Sequence, residues 1–212
     1  MEPSEIGQLW DSLIASAPAK TTKPSRSGLV ALKLNQTAKP TELLRVSRTI
    51  TEIDREVRAA IRSVVTAEAP WPLVLWGPPG TGKTCAALCL LDYAGGNYYA
   101  VPGLCSLLIQ CQQGRLEWNN EGRGGIIWPE KFWSRLAAAP LIVLDELGCR
   151  GAFSDVHYEA VKNLIEERHC RPLVIISNVR INDLEKVYDA RITSRLSAGT
   201  MIEVQGKDRR FE

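Results

Sequence analysis

The sequence predicts an α/β fold, on three observations. A short apolar run, Leu73–Trp76, passes straight into Gly77-Pro78-Pro79-Gly80-Thr81-Gly82-Lys83-Thr84 and then into a helical stretch, Cys85–Tyr93. Two further runs, Leu141–Leu144 and Leu173–Ile176, are continuously apolar, as strands covered on both faces are. Each ends in polar residues, Asp145-Glu146 in one case and Ser177-Asn178 in the other. Segments with helical spacing separate these runs, as an α/β architecture requires.

The 212 residues suffice for one α/β domain plus a tail. Hydrophobic residues make up 45% and charged residues 24%, within the range of soluble globular proteins. No stretch is long and apolar enough for a membrane span. Residues 1–10 lack the basic and apolar regions of a signal peptide, so a cytoplasmic protein is expected. The six cysteines, at 85, 89, 105, 111, 149 and 170, form no C-x-x-C pair and read as reduced, mostly buried thiols. His157 and His169 are the only histidines and carry no zinc-ligand spacing. With a net charge of +2, any nucleic-acid contact must come from a local cluster or from many subunits acting together.

Residues 1–17 carry a weak amphipathic pattern: Ile6, Leu9, Trp10 and Leu13. It suits either a helix on its own domain or a docking helix for a partner. Residues 18–28, PAKTTKPSRSG, read as a flexible basic linker. A helix is expected from Thr41 to about Ala67, with Ile50, Ile53, Val57, Ala60, Ile61 and Val64 on one face. Thr49 and Glu52 offer it a second start as a capping box, and Pro70 and Pro72 end it. After the first strand, loop and helix, Asn97–Val101 reads as a strand and Pro102 starts a helix. Gly114–Trp128 reads as a glycine-rich loop carrying Arg115, Trp118, Arg123 and Trp128. Basic and aromatic residues together suit single-stranded nucleic acid, while tryptophans packed under the loop are the structural alternative. Pro129–Ala138 reads as a helix, and Ser154 as the cap of another running to about Arg168. In the last stretch, Arg191 and Arg195 are four apart and share a helix face, and residues 199–204 read as a strand.

The first motif, G-x-x-x-x-G-K-[ST] between a strand and a helix, is that of a phosphate-binding loop. A triphosphate needs many donors at close range. Backbone N–H groups supply them where Gly80 and Gly82 keep Cβ atoms away. The helix start adds unpaired N–H groups and a positive dipole end. The candidate phosphate-binding residues are therefore Gly77, Pro78, Pro79, Gly80, Thr81, Gly82, Lys83, Thr84 and Cys85. Lys83 would reach the β- and γ-phosphates, and Thr84 would offer its hydroxyl to Mg²⁺. In the second motif, LIVLDELG at 141–148, the acids emerge at the strand edge where ligands sit in open α/β sheets. There Asp145 would hold the Mg²⁺ shell, and Glu146 would orient and deprotonate an attacking water. Asn178, at the end of a third strand, would position that water. The Arg191/Arg195 pair could meet charge on a transferring phosphoryl group of a neighbouring subunit.

These residues carry a family resemblance. GPPGTGKT, LIVLDELG, VIISN at 174–178 and DARITSRL followed by GTMIEVQGKDRR resemble an AAA+ ATPase. They resemble most the branch of DnaC-type replicative helicase loaders and IstB-type helpers of insertion-sequence transposases. The resemblance covers roughly residues 48–212 and sets off residues 1–47 as a partner-docking tail and linker. It implies a P-loop NTPase of the AAA+ ASCE type. Its five-stranded parallel sheet would lie between helices, without a C-terminal lid domain. It also implies ATP at the subunit interfaces of a ring or spiral, with DNA in the channel. Lys83 and Thr84 then fall in the Walker A loop, Asp145 and Glu146 in Walker B, and Asn178 at sensor 1. Arg195 falls at the arginine finger, with Arg191 a second candidate. Arg115, Arg123 and Lys131 are candidates for DNA contact. No Cys or His precedes Cys85, so the ligands of the zinc-bearing N-terminal domain of some loaders are missing.

The resemblance thus implies an ATP-dependent, DNA-associated ATPase that loads or regulates a replicative helicase or a transposase. A monomeric small-molecule kinase or GTPase on a similar sheet is the competing class. The Asp-Glu pair and the Ser-Arg-Leu segment oppose it, and no N-K-x-D guanine-reading motif is present. A non-hydrolysing adaptor gated by ATP is the third.

Overall fold

A computed structural model of the chain describes residues 52–120, 123–149 and 154–208. The expected docking tail and linker, 1–47, lie outside the described residues. So do Thr49 and Ile50. The first described helix, α1 (Arg55–Val65), is capped by Asp54, whose side chain accepts the Glu56 N–H at 2.8 Å. It therefore begins later than the sequence pattern suggests. Its apolar stripe, Val57, Ala60, Ile61 and Val64, is buried as expected, and Ile53 is buried just ahead of it.

Strand β1 (Leu73–Trp76) leads into helix α2 (Lys83–Ala94), and β2 (Asn97–Ala100) follows. Val101 opens helix α3 (Val101–Gln112) rather than closing the strand, since Pro102 at the second helical position presets the helical turn. The glycine-rich stretch is not a loop. It contains an antiparallel hairpin of β3 (Glu117–Asn120) and β4 (Arg123–Ile126), with Gly124 and Gly125 opposite Asn119 and Trp118. Two adjacent glycines mask the strand signal in the sequence, because they contribute no side chain to a period-2 pattern. Helix α4 (Pro129–Ala138), β5 (Ile142–Leu147), α5 (Asp155–Glu167) and β6 (Leu173–Ser177) come next. The short α6 (Ile181–Leu184), α7 (Ala190–Ser197) and β7 (Thr200–Glu203) complete the order. Ser154 stands at the N-cap of α5, but its hydroxyl meets His157 Nδ1 at 2.8 Å instead of a backbone N–H. Asp189 caps α7 and accepts from Arg191 N and Ile192 N.

The main sheet is parallel and five-stranded, in the order β2-β5-β6-β1-β7. Its side chains alternate between two cores, as strand geometry dictates. Val74, Tyr99, Ile142, Leu144 and Ile175 pack under α3, α4, α5 and α7. Leu73, Leu75, Tyr98, Val143, Val174 and Ile176 pack under α1 and α2. The result is a three-layer α/β/α arrangement, with β6 separating the strand before the glycine loop from the strand bearing the two acids. Among the described residues, none after β7 is helical. No described helix is long and apolar enough to cross a membrane. The described cysteines are free thiols. Only Cys105 and Cys111 are buried; Cys85 and Cys89 are half-buried, and Cys149 and Cys170 are exposed, so the expected burial holds for a minority.

Candidate nucleotide site

The loop between β1 and α2 turns on glycines. Gly77 (φ +143°), Gly80 (φ +77°) and Gly82 (φ +96°) all occupy backbone conformations that side chains rarely adopt. A Cβ at Gly77 would stand 2.4 Å from the Val204 carbonyl, and one at Gly80 would stand 1.8 Å from Asp208 Oδ1. The segment beyond β7 thus presses the loop into shape from outside. It is also anchored by the bonds Gly77 N to Ser177 O (3.2 Å) and Val204 N to Trp76 O (2.7 Å). Gly82 is the N-cap of α2 and offers no side chain. The first-turn N–H groups and the positive dipole end of the helix face the loop, an arrangement suited to anions.

Within the loop, the buried Lys83 ammonium donates to the carbonyls of Gly77 at 2.7 Å and Pro78 at 2.5 Å. Thr81, also buried, donates its hydroxyl to Pro78 O at 3.0 Å. Thr84, the residue after Lys83, donates to Asp145 Oδ2 at 2.9 Å. That bond joins the glycine loop to the end of β5, two segments far apart in sequence. A hydroxyl and a carboxylate meeting beside an anion cradle form a hard-oxygen pair. They fit a magnesium ion that keeps most of its other ligands as water and phosphate oxygen.

The end of β5 is irregular in a way that re-aims its acids. Leu144 pairs with Ile175 and Leu147 with Ser177, so Asp145 and Glu146 stand against Ile176 alone. This is a bulge, which bends the strand and redirects a side chain. Asp145 keeps the inward direction of its strand and is buried. Glu146, with φ +65°, has its side chain exposed. The Glu146 N–H donates back to Asp145 Oδ1 at 2.7 Å. Ser177 Oγ spans the same irregularity, donating to Leu147 O at 2.7 Å and accepting the Val179 N–H at 2.9 Å. Asn178, between those two residues, is exposed at the strand edge between β1 and β5. Cys149 is exposed beside the acids; partial burial and the carboxylates of Glu146 and Asp145 push its thiol pKa up, with Lys83 opposing.

The structure therefore brings Gly77–Cys85, Asp145, Glu146 and Asn178 to one edge of the sheet. It does not bring Arg195 there. Arg195 Nη1 is paired with Glu166 Oε1 at 2.6 Å. Glu166 lies in the last turn of α5, the helix that leads into the start of β6, so the pair sits at the opposite edge. Arg191 is exposed in the first turn of α7. Arg115 and Lys131 are exposed on the flank formed by α3, the hairpin and α4, together with Ile126 and Trp128. Arg123 begins β4, and its side chain lies outside what the structure describes. Trp118 is likewise described in its backbone alone. One site residue was not legible as such: the Tyr98 hydroxyl donates to Asp145 Oδ2 at 2.7 Å. The signal available was a tyrosine on a buried strand, whose polar tip requires a partner.

No protein-family model and no curated protein matches the sequence. Solved structures do. The chain is similar to a DnaC helicase loader, at TM-score 0.56 and 20% identity, over 75% of this chain and 93% of that one. It is similar to DnaI at 0.52 and 22%, over 81% and 94%. It is also similar to DnaA from Aquifex aeolicus bound to AMPPCP, at 0.55 and 16%, over 75% and 50%. A replication initiator DnaA bound to AMPPCP and single-stranded DNA matches at 0.58 and 14%, over 76% and 49%. The chain thus spans about half the length of the DnaA structures it matches. At these identities the likeness defines the fold alone, a three-layer α/β domain around a five-stranded parallel sheet with a glycine-rich loop after β1.

Proposed function

We propose that the protein is an ATP-dependent, DNA-associated AAA+ ATPase that assembles on DNA and loads or regulates a replicative helicase. The observation that carries this reading is the 2.9 Å Thr84–Asp145 bond, which holds a phosphate loop against a strand ending in two acids. In this reading Gly77–Cys85 wrap the triphosphate, and Lys83 carries the charge of the β- and γ-phosphates. Bound by Thr84 and Asp145, Mg²⁺ would neutralise charge on the phosphate oxygens. Glu146 accepts a proton from water as the water oxygen bonds to the γ-phosphorus. The bond from that phosphorus to the bridging oxygen breaks, and ADP leaves with its electron pair. Asn178 orients the water.

Arg195 is the preferred arginine finger and Arg191 the second candidate. At the sheet edge opposite its own loop, Arg195 is suited to a neighbouring subunit's phosphates rather than to its own. Arg115, Arg123 and Lys131 are the proposed DNA contacts, and residues 1–47 the helicase-docking segment. The solved relatives favour replication over transposition, since one is named a helicase loader and another carries single-stranded DNA. A transposase helper would use the same ATP cycle with a different partner.

The test is light scattering and phosphate release with ATP, with and without a single-stranded oligonucleotide, for wild type and Arg195→Ala. Wild type is expected to assemble and to turn over faster on DNA. The variant is expected to stay monomeric and to lose about 10³-fold in turnover. A monomer with DNA-insensitive turnover would overturn the proposal in favour of a small-molecule kinase or GTPase. ATP-dependent assembly without turnover would favour the ATP-gated adaptor.

A further inference from the structure

Strand β2 lies at the sheet edge beside β5, in register Tyr98 to Val143 and Ala100 to Asp145. Its two tyrosines point to opposite faces. Tyr99 packs into the core under α3, whereas Tyr98 belongs to the core under α2, the helix that begins with Lys83 and Thr84. Asp145, two residues beyond Val143 on β5, turns to that same face. The three side chains converge on one atom. Asp145 Oδ2 accepts from Thr84 Oγ1 at 2.9 Å and from Tyr98 Oη at 2.7 Å, while Oδ1 takes the Glu146 N–H at 2.7 Å. Both Asp145 (7% exposed) and Tyr98 (8%) are buried.

The two donors to Oδ2 differ in their duties. In the ATPase reading Thr84 must also present its oxygen to the cation. Tyr98 has no such second duty and lies behind the carboxylate, in the core. Phenylalanine would satisfy that core equally well, so the hydroxyl is there for Asp145. We propose that Tyr98 is a positioning residue for the divalent-cation site, fixing the Asp145 carboxylate in the orientation that serves Thr84 and the cation. The inference rests on the ATPase reading and extends it to the metal dependence of nucleotide binding.

The experiment is fluorescence titration of the full chain with a fluorescent ATP analogue, in EDTA and across a Mg²⁺ series. Thermal melts accompany each variant. For Tyr98→Phe, binding in EDTA should match wild type, whereas the Mg²⁺ concentration giving half-maximal enhancement should rise about 10-fold, as for partners that orient metal ligands. In an Asp145→Asn background the same substitution should change that concentration by less than about twofold, because the effect passes through the carboxylate. A half-saturation like that of wild type would overturn the inference. So would equal weakening with and without Mg²⁺, or an undiminished effect beside Asp145→Asn, since each describes packing alone. Failure of the wild type to bind the analogue at all would instead remove the ATPase reading underneath.

Discussion

Glu146 sits at φ +65°, in the left-handed region that non-glycine residues enter at a cost of roughly 1–2 kcal/mol. The backbone is held there by the bulge, by the Glu146 N–H on Asp145 Oδ1 and by the Cys149 N–H on Glu146 O. The consequence is that one acid of the pair faces the core and the other stands exposed at the site. Stability and activity should therefore separate at this position. Glycine relieves the strain but adds roughly 0.5–1 kcal/mol of unfolded-state entropy, leaving a small net gain. Glu146→Gly is expected to raise Tm by about 2 °C in calorimetry while abolishing phosphate release. Glu146→Gln keeps the strain and the shape; it should leave Tm unchanged and lower phosphate release by at least about 10²-fold, with nucleotide binding retained.

At the edge opposite the site, elements are joined through a buried cation. Arg168, at the C-cap of α5 and 2% exposed, donates to carbonyls that end other elements. They are Leu136, Ala137 and Ala139 at the end of α4, Pro140 ahead of β5, and Pro172 ahead of β6. Helix C-termini expose unpaired carbonyls and a negative dipole end, and a planar guanidinium can serve several at once. Arg171 adds a bond to Ala137 O at 2.6 Å. Burial lowers the Arg168 pKa to about 10, which still leaves it charged at neutral pH. Arg168→Met would remove the guanidinium from all of these carbonyls, of which Leu136 O, Ala137 O and Pro172 O keep a second donor in Ala139 N, Arg171 Nη1 and Ile142 N. Urea denaturation is expected to show a loss of about 3 kcal/mol. Nucleotide affinity measured on the folded variant should stay within about twofold of wild type, because the two edges share no side-chain partners.

For the whole molecule, the separation of the two edges is the reason an oligomer is expected. The phosphate loop and its acids occupy one edge, and Arg195 is paired with Glu166 at the other. Both members of that pair are about 40% exposed, so the bond contributes at most ~0.5 kcal/mol to the fold of one subunit. Arg195→Ala should therefore shift the denaturation midpoint of the dilute protein negligibly, while assembly with ATP and DNA is lost in light scattering. A variant that unfolds more easily would instead assign Arg195 to the stability of its own subunit.

Contiguous sequence determined a great deal here. The glycine loop, the apolar runs of β1, β5 and β6, and the acids at the end of β5 depend on residues adjacent in the chain. Local sterics and backbone hydrogen bonding fix such features, so the α/β class and the core of the candidate site were legible. Tertiary structure alone decided what depends on residues far apart. The β3–β4 hairpin was hidden because its glycines carry no pattern, and pairing supplies the order. The bulge that turns Glu146 away from Asp145 arises from register against β6. Tyr98 and Asp145, 47 positions apart, meet because β2 pairs with β5. In the sequence Arg168 marks only the approximate end of a helix; its role appears when α4, β5 and β6 close around it. A chain pattern encodes which face a side chain takes; which carbonyl, carboxylate or hydroxyl awaits it there is set by the packing of the other elements.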